Sequence, residues 1–354
     1  MLNQRLQFAL LIVLVSLTFS CQQKSKKESE VNEEIPSLII DELNSPTQES
    51  LRGISITNNR TIWLSGANGT ILKSLDKGQN WKVLPSPDKD SLDLRSVWAF
   101  NERRAFIASA GFPSRVYATN DGGENWQLVH ENLDSNAFMN SIVFRNESEG
   151  IIFGDQLDSS HLILLTNDSG QSWKRVPKAN LPLPMPNENG YAASGSCIAI
   201  DKLGNYYIGL GGEKSRVFFS NNGQLWTAMN TSLKDTLDYF GIYSLAYGNN
   251  QLIGVGGSFL EKDHFYHPTI LKLGDSTWHS SQESIFGYRS VIDYCASKDV
   301  WLSAGSNGID LSLDGGQHWI VKSSQALNTL RFFKDQSMAI GANSDGKIFK
   351  LTID

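Results

Sequence analysis

The sequence predicts an all-β protein, a seven-bladed β-propeller with four-stranded blades whose last blade is closed by a strand from the N-terminal side. Three observations carry this expectation. A short motif ending in Trp recurs along the 354 residues, each copy follows the same series of strand-like segments, and seven such series can be counted.

The motif is clearest in TNDGGENW at 119–126. SLDKGQNW at 74–81, TNDSGQSW at 166–173 and SLDGGQHW at 312–319 nearly repeat it. SNNGQLW at 220–226 and LGDSTW at 273–278 are worn copies. The terminal Trp residues, Trp81, Trp126, Trp173, Trp226, Trp278 and Trp319, are 45, 47, 53, 52 and 41 residues apart. Before each Trp come short segments rich in β-branched and aromatic residues, punctuated by Gly, Asn, Asp and Ser. In the first unit they are LRGISI, TIWLSG, GTILKS and NWKVL. Such segments read as four strands per repeat. No sustained 3.6-residue period follows the N-terminal leader, so helix should be scarce. First strands begin near Leu51, Leu94, Met139, Gly195, Ile242, Tyr288 and Leu327. The seventh unit ends after three strands, and the apolar segment SLIIDEL at 37–43 is left over. It is expected to supply the missing outer strand, because an open sheet edge invites aggregation.

The motif S/T-x-D-x-G-x-x-W has a folding explanation at every position. Asp76, Asp121, Asp168 and Asp314 can accept N–H groups of their own turn. Gly78, Gly123, Gly170 and Gly316 can adopt a left-handed conformation that other residues resist. Trp81, Trp126, Trp173 and Trp319 can bury large rings between blades. These twelve residues are assigned a structural role.

The first 21 residues differ from the rest. MLNQR carries one positive charge, an apolar run follows, and Ser20 precedes Cys21. Residues 1–21 resemble a bacterial lipoprotein signal peptide, which implies a lipid attached at Cys21; an ordinary secretory signal cut near this point is the alternative. Residues 22–36 read as a flexible polar tether, and 37–354 as the propeller. The implied location is the cell envelope, as a membrane-anchored lipoprotein facing the periplasm or the cell surface. Net charge is −6, and loss of Arg5 with the leader leaves 30 basic against 37 acidic residues. Nucleic acid is excluded as a partner, since phosphate binding needs clustered Lys and Arg. Cys197 and Cys295 lie in apolar segments and read as buried free thiols. GLGG at 209–212 and GVGG at 254–257 end strands and are rejected as dinucleotide loops, so no cofactor and no metal is expected.

The Trp-ending motif resembles the Asp-box, or bacterial neuraminidase, repeat. Units of the form L-R-S-V-x-x-F, an apolar strand ending in Gly and T-x-D-G-G-x-x-W resemble the photosystem II assembly and stability factor family over roughly residues 37–354. That resemblance implies a seven-bladed propeller with a non-enzymatic binding or assembly role at a membrane. It also implies that the Asp-box turns lie on the face opposite the ligand-binding mouth. The innermost strands then start at the mouth with Arg52-Gly, Arg95-Ser, Asn140-Ser, Gly195-Ser, Tyr243-Ser, Arg289-Ser and Asn328-Thr.

Arg52, Arg95 and Arg289 stand in blades one, two and six, with Asn328 between them in the ring. Three guanidiniums converging there would grip a carboxylate, a phosphate or an acidic peptide. Asn140, Tyr243 and Asn328 would support them, with a protein partner or an anionic ligand as the object. Alternatively each Arg pairs with a local acid such as Asp93 or Asp293 and braces the blades. Two long loops are further candidates: 180–191, between blades three and four, and 260–268, in blade five. His264 and His267 with Asp263 have weak metal spacing; a solvated aromatic loop is preferred. The competing function is a sialidase-type glycoside hydrolase using the Arg cluster, although no F/Y-R-I-P segment is present and such enzymes are six-bladed. No catalytic residue is assigned, and oligomeric state is open.

Overall fold

The computed structural model describes residues 35–88, 92–233, 236–334 and 336–354. The expected leader, Cys21 and all but the last two residues of the expected tether lie outside them. Pro36–Asp354 form one compact unit. Seven four-stranded antiparallel sheets make up the propeller. Their innermost strands are Leu51–Thr57, Asp93–Ala99, Met139–Phe144, Ile198–Ile200, Gly241–Gly248, Arg289–Cys295 and Thr329–Phe332. Helix is limited, among the described residues, to two 3-10 turns, Ala67–Gly69 and Lys178–Asn180.

The seventh blade closes as the leftover segment predicted. Leu38–Leu43 pairs antiparallel with Ile348–Ile353, from Leu38 opposite Ile353 to Leu43 opposite Ile348. Inner strands are sandwiched between neighbouring blades and largely buried on both faces; Met139–Phe144 is buried throughout. Outer strands such as Lys82–Val83 and Lys174–Arg175 are exposed and only two residues long. The core consists of apolar layers between blades. Leu51, Ile54 and Leu64 of blade one, for example, share a cluster with Ile340 and Ile348 of blade seven. Each such side chain contributes about 1.5–3 kcal/mol. Cys197 and Cys295 are buried free thiols within these layers.

The Trp-ending motifs are the turns between third and fourth strands. In blade two, Thr119 Oγ1 donates to Asp121 Oδ1 at 2.8 Å and accepts from Gly123 N at 2.9 Å, while Asn125 N donates to Asp121 Oδ1 at 3.0 Å. The same network recurs at Ser74–Asp76–Gly78, Thr166–Asp168–Gly170 and Ser312–Asp314–Gly316. The four glycines have φ between +81° and +89°.

A second repeat stitches the blades. In blades two, three, five and six, the Ser following the mouth position bonds to the repeat that comes next in the chain; blade one has Gly53 and blade seven Thr329 in its place. Ser96 Oγ accepts from Ile142 N at 3.0 Å, Ser141 Oγ donates to Gly195 O at 2.6 Å, and Ser244 Oγ accepts from Ile292 N at 3.1 Å. Ser290 Oγ donates to Asn328 O at 2.8 Å. These buried hydroxyls satisfy backbone groups that the ring leaves without a ladder partner.

Candidate functional site at the channel mouth

The inner strands of blades one, two, three and five each carry one extra residue at the mouth. Pairing with the second strand skips Arg52 between Leu51 and Gly53, Arg95 between Leu94 and Ser96, Asn140 between Met139 and Ser141, and Tyr243 between Ile242 and Ser244. A β-bulge re-aims the side chain it carries. Four of the sequence-selected residues therefore owe their orientation to one local device.

Blade six breaks the pattern. Its irregularity falls on Ser290, between Arg289 and Val291, so Arg289 pairs directly with Gly305. Arg289 thus takes the register position held elsewhere by Leu51, Leu94, Met139 and Ile242 and points inward. It is 2% exposed. Its Nε donates to Asp310 Oδ2 at 2.6 Å and its Nη1 to Asn307 Oδ1 at 2.6 Å. Burial raises the Asp310 pKa, and Arg289 pulls it back. The expected triad of arginines does not form, because a one-residue slip sends a strand's side chains to the other side. The three-arginine grip behind the glycosidase reading is lost with it.

Arg52 and Arg95 do converge. Both line a cavity of about 1200 Å³ at the mouth, to which all seven blades contribute. Arg52 Nη1 donates to Ala193 O at 3.4 Å, and Arg95 Nη1 to Ala192 O at 3.3 Å. Arg95 Nε also pairs with Asp93 at 2.6 Å, so the local-bracing alternative holds for that residue in part. Asp293, the other local acid considered, pairs with Arg331 and not with Arg289. Among the described residues no carboxylate is paired with Arg52. Burial pushes its guanidinium pKa down, and the Arg95 charge pushes the same way. The Arg52 guanidinium, held only by a long bond to a carbonyl, has donors to spare for a carboxylate.

The carbonyls that meet these arginines belong to a segment the sequence placed elsewhere. Gly195 was expected to open blade four, but that strand starts at Ile198. Residues 192–196 instead cross the channel. Ser194 Oγ donates to Ser290 O of blade six at 2.8 Å, and the Ser196 and Ser244 hydroxyls lie 2.7 Å apart. Ala192 and Ala193 are buried and line the cavity, forming its floor. The preceding loop is pinned by Glu188, which is fully buried and takes a two-pronged bond from Arg216 at 2.5 and 2.6 Å. His161 Nε2 lies 3.2 Å from the Glu188 carbonyl, and burial lowers the His161 pKa to about 4.

The supporting residues divide. Tyr243 lines the cavity, and its ring stacks on Tyr191 at 3.8 Å and 5°. Asn328 also lines it and ties blade seven to blade one through Leu51 O at 3.0 Å. Asn140 is buried below the surface and does not reach the cavity. Its Nδ2 donates to Asp155 Oδ1 at 2.7 Å and so positions that carboxylate, a lining group the sequence did not single out. Burial raises the Asp155 pKa to about 6, against the bonds from Asn140 and Gly190.

Both long loops reach the same mouth: Asn187, Asn189, Gly190 and Tyr191 from one, Lys262 from the other. Within the latter, Phe265–Tyr266 pairs with Ile285–Phe286. His267 Nδ1 lies 3.1 Å from Ser281 O. Among the described residues no group of three or more His, Cys, Asp or Glu side chains is placed to hold a metal ion. A smaller hollow of about 320 Å³, lined by Glu213, Lys214 and Asn230, contains none of the bulge residues.

No protein-family model matches the chain. In sequence it is 22% identical over 316 residues to the photosystem II assembly lipoprotein Ycf48 of Synechococcus sp. (strain CC9902), covering 86% of this chain and 85% of that protein. A local match of 28% over 106 residues to the vacuolar protein sorting/targeting protein 10 of Mycosarcoma maydis spans only 6% of that protein. Two solved structures share the fold at 18% identity. YCF48 bound to a D1 peptide superposes with a TM-score of 0.64, covering 91% of this chain and 98% of that one. YCF48 from Cyanidioschyzon merolae gives 0.63, covering 88% and 98%. Sequence similarity along most of its length and a common seven-bladed propeller make this chain a homologue of the photosystem II assembly factor Ycf48.

Proposed function

We propose that this chain is a membrane-anchored, non-enzymatic binding or assembly propeller that recognises an acidic segment of a protein partner at the channel mouth. The observation that carries the reading is the pair Arg52 and Arg95, aimed by two bulges into one cavity. Two guanidiniums in a half-buried site favour a carboxylate, because N–H pairs match its geometry and partial exclusion of water strengthens the bond. A relative of this fold bound to a peptide supports a polypeptide partner over a small anion. The cavity points the same way, since about 1200 Å³ exceeds the roughly 300–1,000 Å³ of typical small-molecule pockets. Cys21 carries the lipid in this reading, and the tether holds the propeller at the envelope membrane.

Affinity capture from native membranes tests the first part. Wild type should retain a partner that a folded Arg52→Ala/Arg95→Ala variant loses at least tenfold, with an unchanged thermal midpoint. Equal recovery by both proteins would remove the arginines from the interface. The anchor is tested separately by fractionation. Cys21→Ala should move the protein out of the membrane pellet, and retention there would refute lipidation at this residue.

A further inference from the structure

The mouth cavity has two unlike walls. Arg52 and Arg95 stand on blades one and two, with the Phe138 ring 5.9 Å from the Arg95 guanidinium, and five further aromatic rings line the cavity towards blades four to six: Tyr191, Tyr239, Tyr243, Phe259 and Tyr288. The three inner rings are committed to each other. Tyr191 and Tyr243 are stacked, and Tyr288 meets Tyr243 edge-on at 4.7 Å. The two outer rings are not needed for the core. Tyr239 is 56% and Phe259 41% exposed, with ring centroids 5.3 Å apart.

Tyr239 is also held in a backbone conformation that its side chain disfavours. Its φ is +54°, a region that bulky L-residues rarely occupy. Neighbouring groups impose it. Tyr243 Oη donates to Tyr239 O at 2.8 Å, and Ser258 Oγ donates to Asp238 O at 2.6 Å. Folding gains nothing from an aromatic ring pushed into solvent by a strained backbone, and strain of this kind gathers at binding sites. The bulge residue Tyr243 thereby couples the strained residue to the same device that aims Arg52 and Arg95.

Resting on the Arg52/Arg95 reading, we infer that Tyr239 and Phe259 form a second subsite, an apolar shelf. It receives the aromatic or large aliphatic side chain next to the carboxylate held by the arginines. The occupant is a partner polypeptide in which an acidic residue adjoins a large apolar one. Charge complementarity places its acid, and the shelf, lining the same cavity, places its neighbour.

The test uses the full chain in detergent and three fluorescent, N-acetylated, C-amidated decapeptides, identical except for a central Glu-Phe, Glu-Ala or Gln-Phe. Anisotropy should show Glu-Phe binding at least tenfold tighter than either of the others. Phe259→Ala should bring Glu-Phe down to the Glu-Ala affinity and leave Glu-Ala unmoved. Tyr239→Gly should do the same while raising the unfolding midpoint, because Gly accepts the positive φ without strain. Equal affinities for Glu-Phe and Glu-Ala, with Gln-Phe weaker, would overturn the shelf and leave the arginine reading standing. Equal Glu-Phe and Gln-Phe affinities, or no binding of any peptide, would overturn both. Vesicle binding or self-association lost in Phe259→Ala, with peptide affinities unmoved, would assign the shelf to lipid or to a second copy and overturn the inference.

Discussion

Replacing Arg289 by alanine lowers the free energy of unfolding by about 3–5 kcal/mol, whereas Arg52→Ala costs less than about 1 kcal/mol. The two residues look equivalent in sequence, each preceding a small residue near the start of an innermost strand. They differ in what surrounds them. Arg289 and Asp310 are both almost fully buried and 2.6 Å apart. Removing the guanidinium leaves a carboxylate without its counter-charge in an apolar layer, and desolvation of that charge dominates the cost. Arg52 lines the mouth cavity and gives up only a long bond to Ala193 O. Guanidinium titration followed by tryptophan fluorescence reads both. The double change Arg289→Met/Asp310→Leu should recover most of the loss, since it removes both charges and keeps the volume. An Arg289→Ala midpoint equal to wild type would mean that the pair contributes nothing.

Gly256→Ala destabilises the propeller by about 3 kcal/mol or more, at the upper end of the range for overpacking. A Cβ at this position would fall 1.8 Å from Gly241 O and 3.0 Å from Tyr243 N. Both are backbone atoms of the bulged inner strand, so no side chain can rotate away. Equivalent approaches occur at Gly66, 2.1 Å from Ser50 O, and at Gly305, 1.9 Å from Tyr288 O. Thermal unfolding and the yield of soluble protein measure the effect. A variant with the wild-type midpoint would show that the bulge can relax at no cost. The same close approach accounts for the Gly at this register position in blades one, three, five and six, Gly66, Gly154, Gly256 and Gly305, whereas blade two carries Ser109 there.

Local chemistry was legible in the sequence. The Trp-ending turns, four strands per repeat and seven repeats all follow from patterns that complete themselves within about fifty residues. The leftover segment 37–43 could be placed by counting, because a seventh blade with three strands has one open edge. Cys197 and Cys295 could be read as buried from their apolar neighbours. The long loops stood out by length, although nothing in them revealed that both meet at one cavity.

The tertiary structure alone decided which mouth residues share a site. YRSV at 288–291 and LRSV at 94–97 read alike, yet a bulge displaced by one residue turns Arg95 to the cavity and Arg289 to Asp310. Register depends on how the second strand and the next blade pack against the first, and a period-two strand reverses its faces on a single-residue slip. The crossing of residues 192–196 through the channel was hidden for a related reason. Its partners, Arg52, Arg95, Ser141, Ser244 and Ser290, are scattered over five blades, and only closure of the ring brings them within reach of one short segment.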